Sequence, residues 1–143
     1  MIERVNIDYT NSGQTIILEA GYVPETVKYR VLSKFDGWVY MTYEREWNIA
    51  AKRLLRAKEA YVSRNLDKIP LVLAHPDKVI IDPEYSESVH IYYKVVTLHD
   101  GSKSGLAVPI CIQEPKYIYT AHSWKGDRVK GETRGLEIKW LLR

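Results

Sequence analysis

Four histidines, His75, His90, His99 and His122, are the side chains that exchange protons near neutral pH. None has the helical i, i+4 histidine partner of a zinc peptidase, and they are scattered along the chain. His122 stands out because it closes the last core strand in the run Thr120-Ala121-His122-Ser123, and Thr120 shares its strand parity. Cations gather on one stretch: Arg45, Lys52 and Arg56, with Glu59, lie at offsets 0, 7, 11 and 14, one cation-rich stripe of a helix, with Arg53 beside it. Lys94 sits on a middle strand. Such a set suits a phosphodiester, which needs cations on its oxygens and a proton donor or acceptor at the reacting bond. Each member also has a plainer reading: a strand-end histidine, a solvated strand lysine, a charged helix face turned to water.

The charge count supports the phosphodiester only when divided along the chain. The total is 21 Lys and Arg against 18 Asp and Glu, a net +3. Residues 45–64 hold 6 basic and 2 acidic groups and residues 116–143 hold 7 and 3, whereas the remaining stretches are net acidic. If the fold brings the two basic blocks together they form a focused positive surface, fit for a polyanion such as RNA. Aromatic use points the same way, with 11 Tyr and 4 Trp against 1 Phe, a bias toward rings with a polar or stacking edge.

Several classes lose their support. The chain has no phosphate-cradling glycine loop, no Walker lysine and no nucleophile elbow. A lone Cys111 between Ile110 and Ile112 has no disulfide partner and reads as a buried small hydrophobe. No metal and no cofactor is expected. Met1 to Thr10 lack the apolar run of a signal peptide, and no stretch is apolar for the length of a membrane span, so a cytoplasmic protein with no membrane partner is expected.

The elements that must position these residues follow from periodicity. Extended segments are predicted over Gln14–Ala20, Val27–Ser33 and Trp38–Tyr43, separated by Gly21 with Pro24 and by Asp36-Gly37. A helix is predicted from about Glu44 to Arg64, with Trp47, Ala50, Ala51, Leu54, Ala57 and Tyr61 as its packing face. A short second helix spans Leu66–Ala74, with Asp67 as cap candidate and Pro70 near its start. His75-Pro76-Asp77 makes a turn, and strands follow over Lys78–Asp82, Val89–Val96, Gly105–Ile112 and Tyr117–Ala121, an antiparallel meander. Alternation resumes at Leu136, Ile138 and Trp140, the mark of an added edge strand. The predicted class is α+β in one domain.

The order of a long basic helix, the run Ile69-Pro70-Leu71-Val72-Leu73-Ala74-His75-Pro76-Asp77, a strand with Tyr92-Tyr93-Lys94, an apolar strand over Leu106–Ile112 and a closing Tyr117-Ile118-Tyr119-Thr120-Ala121-His122 resembles the Barnase/EndoU/Colicin/RelE-like nucleases of phage and toxin systems. The resemblance covers roughly residues 45–124. It implies N-terminal short strands (1–43) before a nuclease-like core (44–124) of a long basic helix and a short helix packed on an antiparallel sheet, then a basic C-terminal tail (125–143).

It also implies a metal-independent endoribonuclease in which the RNA 2′-hydroxyl attacks the adjacent phosphate. His122 is then the first choice for acid or base, Thr120 holds a phosphate oxygen, and Lys94 with Lys52, Arg53 and Arg56 forms the cationic clamp. Tyr92, Tyr119 and Trp124 stack bases, with Lys125 beside them on the basic tail. His90 is the reserve histidine. Single-stranded RNA is the expected partner, with an antitoxin or immunity protein as a second. Two alternatives stay open: a non-catalytic nucleic-acid-binding module, since Glu46-Trp47-Asn48-Ile49 stands where the family's helix carries a histidine, and a structural subunit whose tyrosine-rich faces pair in a homo-oligomer.

Overall fold

The structure, a computed structural model, describes residues 3–8, 15–20, 27–81, 88–123 and 137–138. It is α+β. Four strands come first, β1 (Glu3–Asp8), β2 (Thr15–Ala20), β3 (Val27–Ser33) and β4 (Gly37–Thr42), each antiparallel to the one before. Three helices follow: α1 (Tyr43–Leu54), α2 (Ala60–Arg64) and α3 (Ile69–Ala74), with single 3₁₀ turns at Ala57–Glu59 and Leu66–Lys68. The chain then returns to strand as β5 (Lys78–Ile81), β6 (Val89–Thr97), β7 (Lys103–Cys111), β8 (Tyr117–Ile118), β9 (His122–Ser123) and β10 (Glu137–Ile138).

All the described strands join one sheet, in the order β1-β2-β3-β4-β8-β7-β6-β5-β10, with β9 also on β7. The expected meander is present from β5 to β8, and β10 is the expected edge strand, antiparallel to β5. Periodicity alone does not give the central join. There β4 pairs parallel to β8 at Tyr40 and Tyr117, and the Tyr40 amide donates to the Lys116 carbonyl at 2.9 Å.

The main core lies between one sheet face and α3. All of Ile69 to Leu73 is buried, and packs with Val31, Val39, Met41, Tyr92, Val96, Val108, Ile110 and Ile118. The opposite face of the meander buries Ile80, Val89, Ile91, Tyr93 and Ala107. Strand β6 is therefore apolar on both sides over most of its length, as a central strand must be. The turn from β6 to β7 is closed at Gly101, whose φ of +87° belongs to the left-handed region that glycine occupies without a Cβ penalty.

Two expectations about the helices are corrected. The single helix from Glu44 to Arg64 is broken after Leu54: Leu55 caps α1, and Arg56 is extended at φ −108°, ψ 113° before the next turn begins. No Gly or Pro marks the break. Over α1 the buried side also differs from the expected one, for Trp47 is 70% exposed and Leu54 56%, while Ile49 and Arg53 are buried; farther along, Tyr61 packs against the core as expected. Polar anchors set this rotation. The Thr42 hydroxyl caps the helix by accepting from the Arg45 amide at 3.0 Å, Glu46 pairs with Lys28 at 2.6 Å, and Arg53 reaches the Ala121 carbonyl at 2.7 Å. Asp67 is not a cap either; it accepts from His99 Nε2 at 2.8 Å, and Pro70 opens α3 unaided by a side-chain cap.

Candidate nucleic-acid interface

The strand expected over Tyr117–Ala121 is interrupted by a bulge. Ile118 pairs with Ile110 and His122 with Ala107, so the outer strand has one residue more than its partner over the same span. The surplus is taken up at Pro109, whose carbonyl accepts from both the Tyr119 and Thr120 amides, at 2.9 and 3.4 Å. This bend turns Tyr119, Thr120 and His122 toward α1. Between the two lies an open cavity of about 450 Å³, within the size range of small-ligand sites.

The helix side of the cavity carries Arg45, Asn48 and Lys52, at the i, i+3, i+7 spacing that shares one face, with Arg53 and Arg56 toward the helix end. Arg45 lies over the Tyr119 ring at 5.5 Å from its centroid and near the Tyr117 ring at 5.9 Å, a cation–π arrangement at the rim. Lys52 and Arg56 are exposed. Arg53 differs from them, being 5% exposed with its guanidinium spread over the Ala121 carbonyl (2.7 Å), Glu59 Oε2 (2.6 Å) and the Thr120 hydroxyl (3.3 Å). It fixes the bulge to the helix.

Among the described residues Glu59 is the single anion of the cavity wall. Partial burial pushes its carboxyl upward, but the hydrogen bond and charge of Arg53, the hydrogen bond from Ser123 and the nearby His122 outweigh burial and hold it below its ordinary value. Arg56 approaches the same carboxylate at 3.7 Å. With Arg53 and Glu59 matched to each other, Arg45, Lys52 and Arg56 give the cavity its positive character.

Of the residues expected from sequence, His122, Thr120, Lys52, Arg53, Arg56 and Tyr119 come together here. Arg53 departs from its expected role, since a buried guanidinium bound to three protein groups holds the wall rather than a ligand. Lys94 does not line the cavity; its Nζ donates to Asp77 Oδ1 at 3.3 Å. Tyr92 cannot stack a base, because its ring is 0% exposed in the core. Trp124 and Lys125 lie outside the described residues. Arg45 and Glu59, present in the sequence stripe without a role, and Asn48, absent from it, are additions. The spacing of seven from Arg45 to Lys52 was the readable signal for the first.

His90 belongs to a different, buried cluster. Its Nδ1 lies 2.9 Å from Asp36 Oδ2 and 3.1 Å from Oδ1, and the Tyr92 hydroxyl donates to the same Oδ2 at 2.6 Å. Burial and the Asp36 charge hold the Tyr92 proton far above the ordinary phenol range. The Asp36 amide donates to Ser33 Oγ at 3.0 Å and the Phe35 amide to Tyr92 Oη at 3.3 Å. The cluster therefore clips the β3–β4 turn onto β6. Among the described residues no three of His, Cys, Asp and Glu converge as a metal site would require, and no helix is long and apolar enough to cross a membrane. Cys111 is half-buried against the second apolar cluster.

Compared with known proteins, the chain matches no family model, no curated protein and no solved structure.

Proposed function

We propose that the cavity between α1 and the Tyr119–His122 bulge binds the backbone of single-stranded RNA, and that cleavage there proceeds without a metal. The observation that carries this reading is the convergence of Arg45, Lys52 and Arg56 with Tyr119, Thr120 and His122 on one open cavity. A phosphate seated among the three cations is neutralised at its non-bridging oxygens. An unpaired base stacks on the half-open Tyr119 ring, 38% exposed, which a paired base in a duplex cannot do. The Thr120 hydroxyl and His122 imidazole border the same space. Attack by the 2′-hydroxyl forms the bond to phosphorus and breaks the bond to the 5′-oxygen: neutral His122 takes the 2′-hydroxyl proton, and the imidazolium so formed gives it to the leaving 5′-oxygen. The ionised Glu59 is the counter-charge to this imidazolium.

A second reading, binding without cleavage, is favoured by the commitment of Glu59 to Arg53 and Ser123. That leaves His122, the sole cavity histidine among the described residues, to both take and give protons. Incubation with end-labelled single-stranded RNA in EDTA separates the two. Products with 2′,3′-cyclic phosphate ends, lost in His122→Ala, support the nuclease. Intact RNA retained by both proteins, and released by Lys52→Ala with Arg56→Ala, supports the binding module. Intact RNA with no retained complex overturns both.

A further inference from the structure

The face of α1 turned away from the core carries the largest exposed apolar side chains of the described residues. Tyr43 is 55% exposed, Trp47 70%, Leu54 56% and the adjoining Leu55 87%. Ala50 and the exposed Ala51 lie between them. Tyr43, Trp47, Ala50 and Leu54 are spaced by four, three and four residues, the alternation that keeps a seam on one side of a helix facing another helix. We propose that this face is the contact surface of a two-fold homodimer, in which α1 packs antiparallel against α1 of a second copy.

Three features select a second copy as the occupant. The first is self-complementary size: a two-fold axis at mid-helix sets Trp47 against the second copy's Ala50 and Tyr43 against its Leu54, so the largest ring meets the smallest side chain on both sides. The second is charge. The seam positions bear none, while the first turn of α1 is acidic, with Glu44 and Glu46, and the last is basic, with Lys52 and Arg53. Glu46 is paired with Lys28 and Arg53 with Glu59. Antiparallel packing opposes the two helix dipoles and keeps the acidic first turns apart, whereas parallel packing sets Glu44 beside Glu44. The third is area. The four large side chains expose on the order of 600 Å² per protomer, the top of the range for a monomer's largest exposed patch, and approach the roughly 800 Å² per partner of a standard interface once the alanines and flanks are added.

The pairing does not depend on RNA binding. Arg45 and Lys52 project from nearly the opposite side of α1, so the two cavities of a dimer stay open and point away from each other. Sedimentation equilibrium of the full chain from about 1 to about 200 µM tests the dimer directly. A reversible monomer–dimer equilibrium with a micromolar dissociation constant is expected, weakened at least 100-fold by Trp47→Glu. Leu54→Glu should do the same if the first variant alters the circular dichroism spectrum. A wild-type chain that stays monomeric throughout, or a dimer that survives both glutamate substitutions, overturns the proposal, and neither result touches the RNA assay.

Discussion

Two adjacent residues of α1, Lys52 and Arg53, carry the same charge and have opposite work to do. Arg53 is buried among the Ala121 carbonyl, Glu59 and Thr120, so Arg53→Met strands a carbonyl and a carboxylate and is expected to cost about 3 kcal/mol of stability. Lys52→Ala removes an exposed ammonium and should leave stability within about 0.5 kcal/mol while weakening RNA binding. Urea unfolding of the two variants, set beside filter binding, reads this division. Glu59 adds a pH signature. A carboxylate held below its ordinary 4.5 stabilises the fold above that pH, and the contribution fades as pH falls through the lower folded value. The stability gap between wild type and Glu59→Gln should thus be widest near neutrality and shrink below about pH 4.5. In the buried cluster, Tyr92→Phe removes a donor from Asp36 and should cost about 1–3 kcal/mol with no effect on RNA affinity.

At the level of elements, strands were legible and rotations were not. The alternation of Val27, Tyr29, Val31 and Ser33 placed β3, and the apolar runs of Val89–Val96 and Leu106–Ile112 placed β6 and β7, because a period of two survives whatever packs on the strand. For α1 the apolar stripe is present but is not the buried side, since an amphipathic pattern does not say which partner its apolar face meets. Distant polar groups decided that, above all the Ala121 carbonyl that binds Arg53. The same limit applies to the site. The basic stripe and His122 were readable locally, but the bulge that brings them together arises from a register difference between strands. Strand parity likewise cannot tell a face covered by α3, where Tyr92 lies, from one open to solvent. Deletion of Ala121 removes the surplus residue, draws β8 and β9 into one register and should abolish RNA retention while the far-ultraviolet dichroism is kept.

For the whole molecule, the positive character is local rather than global. A net +3 spread over 143 residues would steer little, whereas Arg45, Lys52 and Arg56, facing one cavity whose Glu59 is already held by Arg53, act on a single stretch of backbone. The logarithm of the RNA association constant should therefore fall against that of salt with a slope of about −2, as three phosphate contacts on a single strand require. A slope near zero would remove the electrostatic basis of the binding.

The parallel junction of β4 with β8 gives the molecule a particular order of assembly. Apart from β10 on β5, the other pairings of the described strands join neighbours in sequence or nearly so, and can zip up from local hairpins. Tyr40 meets Tyr117 only after all the helices and three strands lie between them. Closing so long a loop costs about 4 kcal/mol of chain entropy before the join returns any contact energy. On a ribosome, β4 waits with an open edge while the meander is still being made. The join is then the step that commits the chain, and it places the protein among the slow, topology-limited folders rather than the fast helical ones.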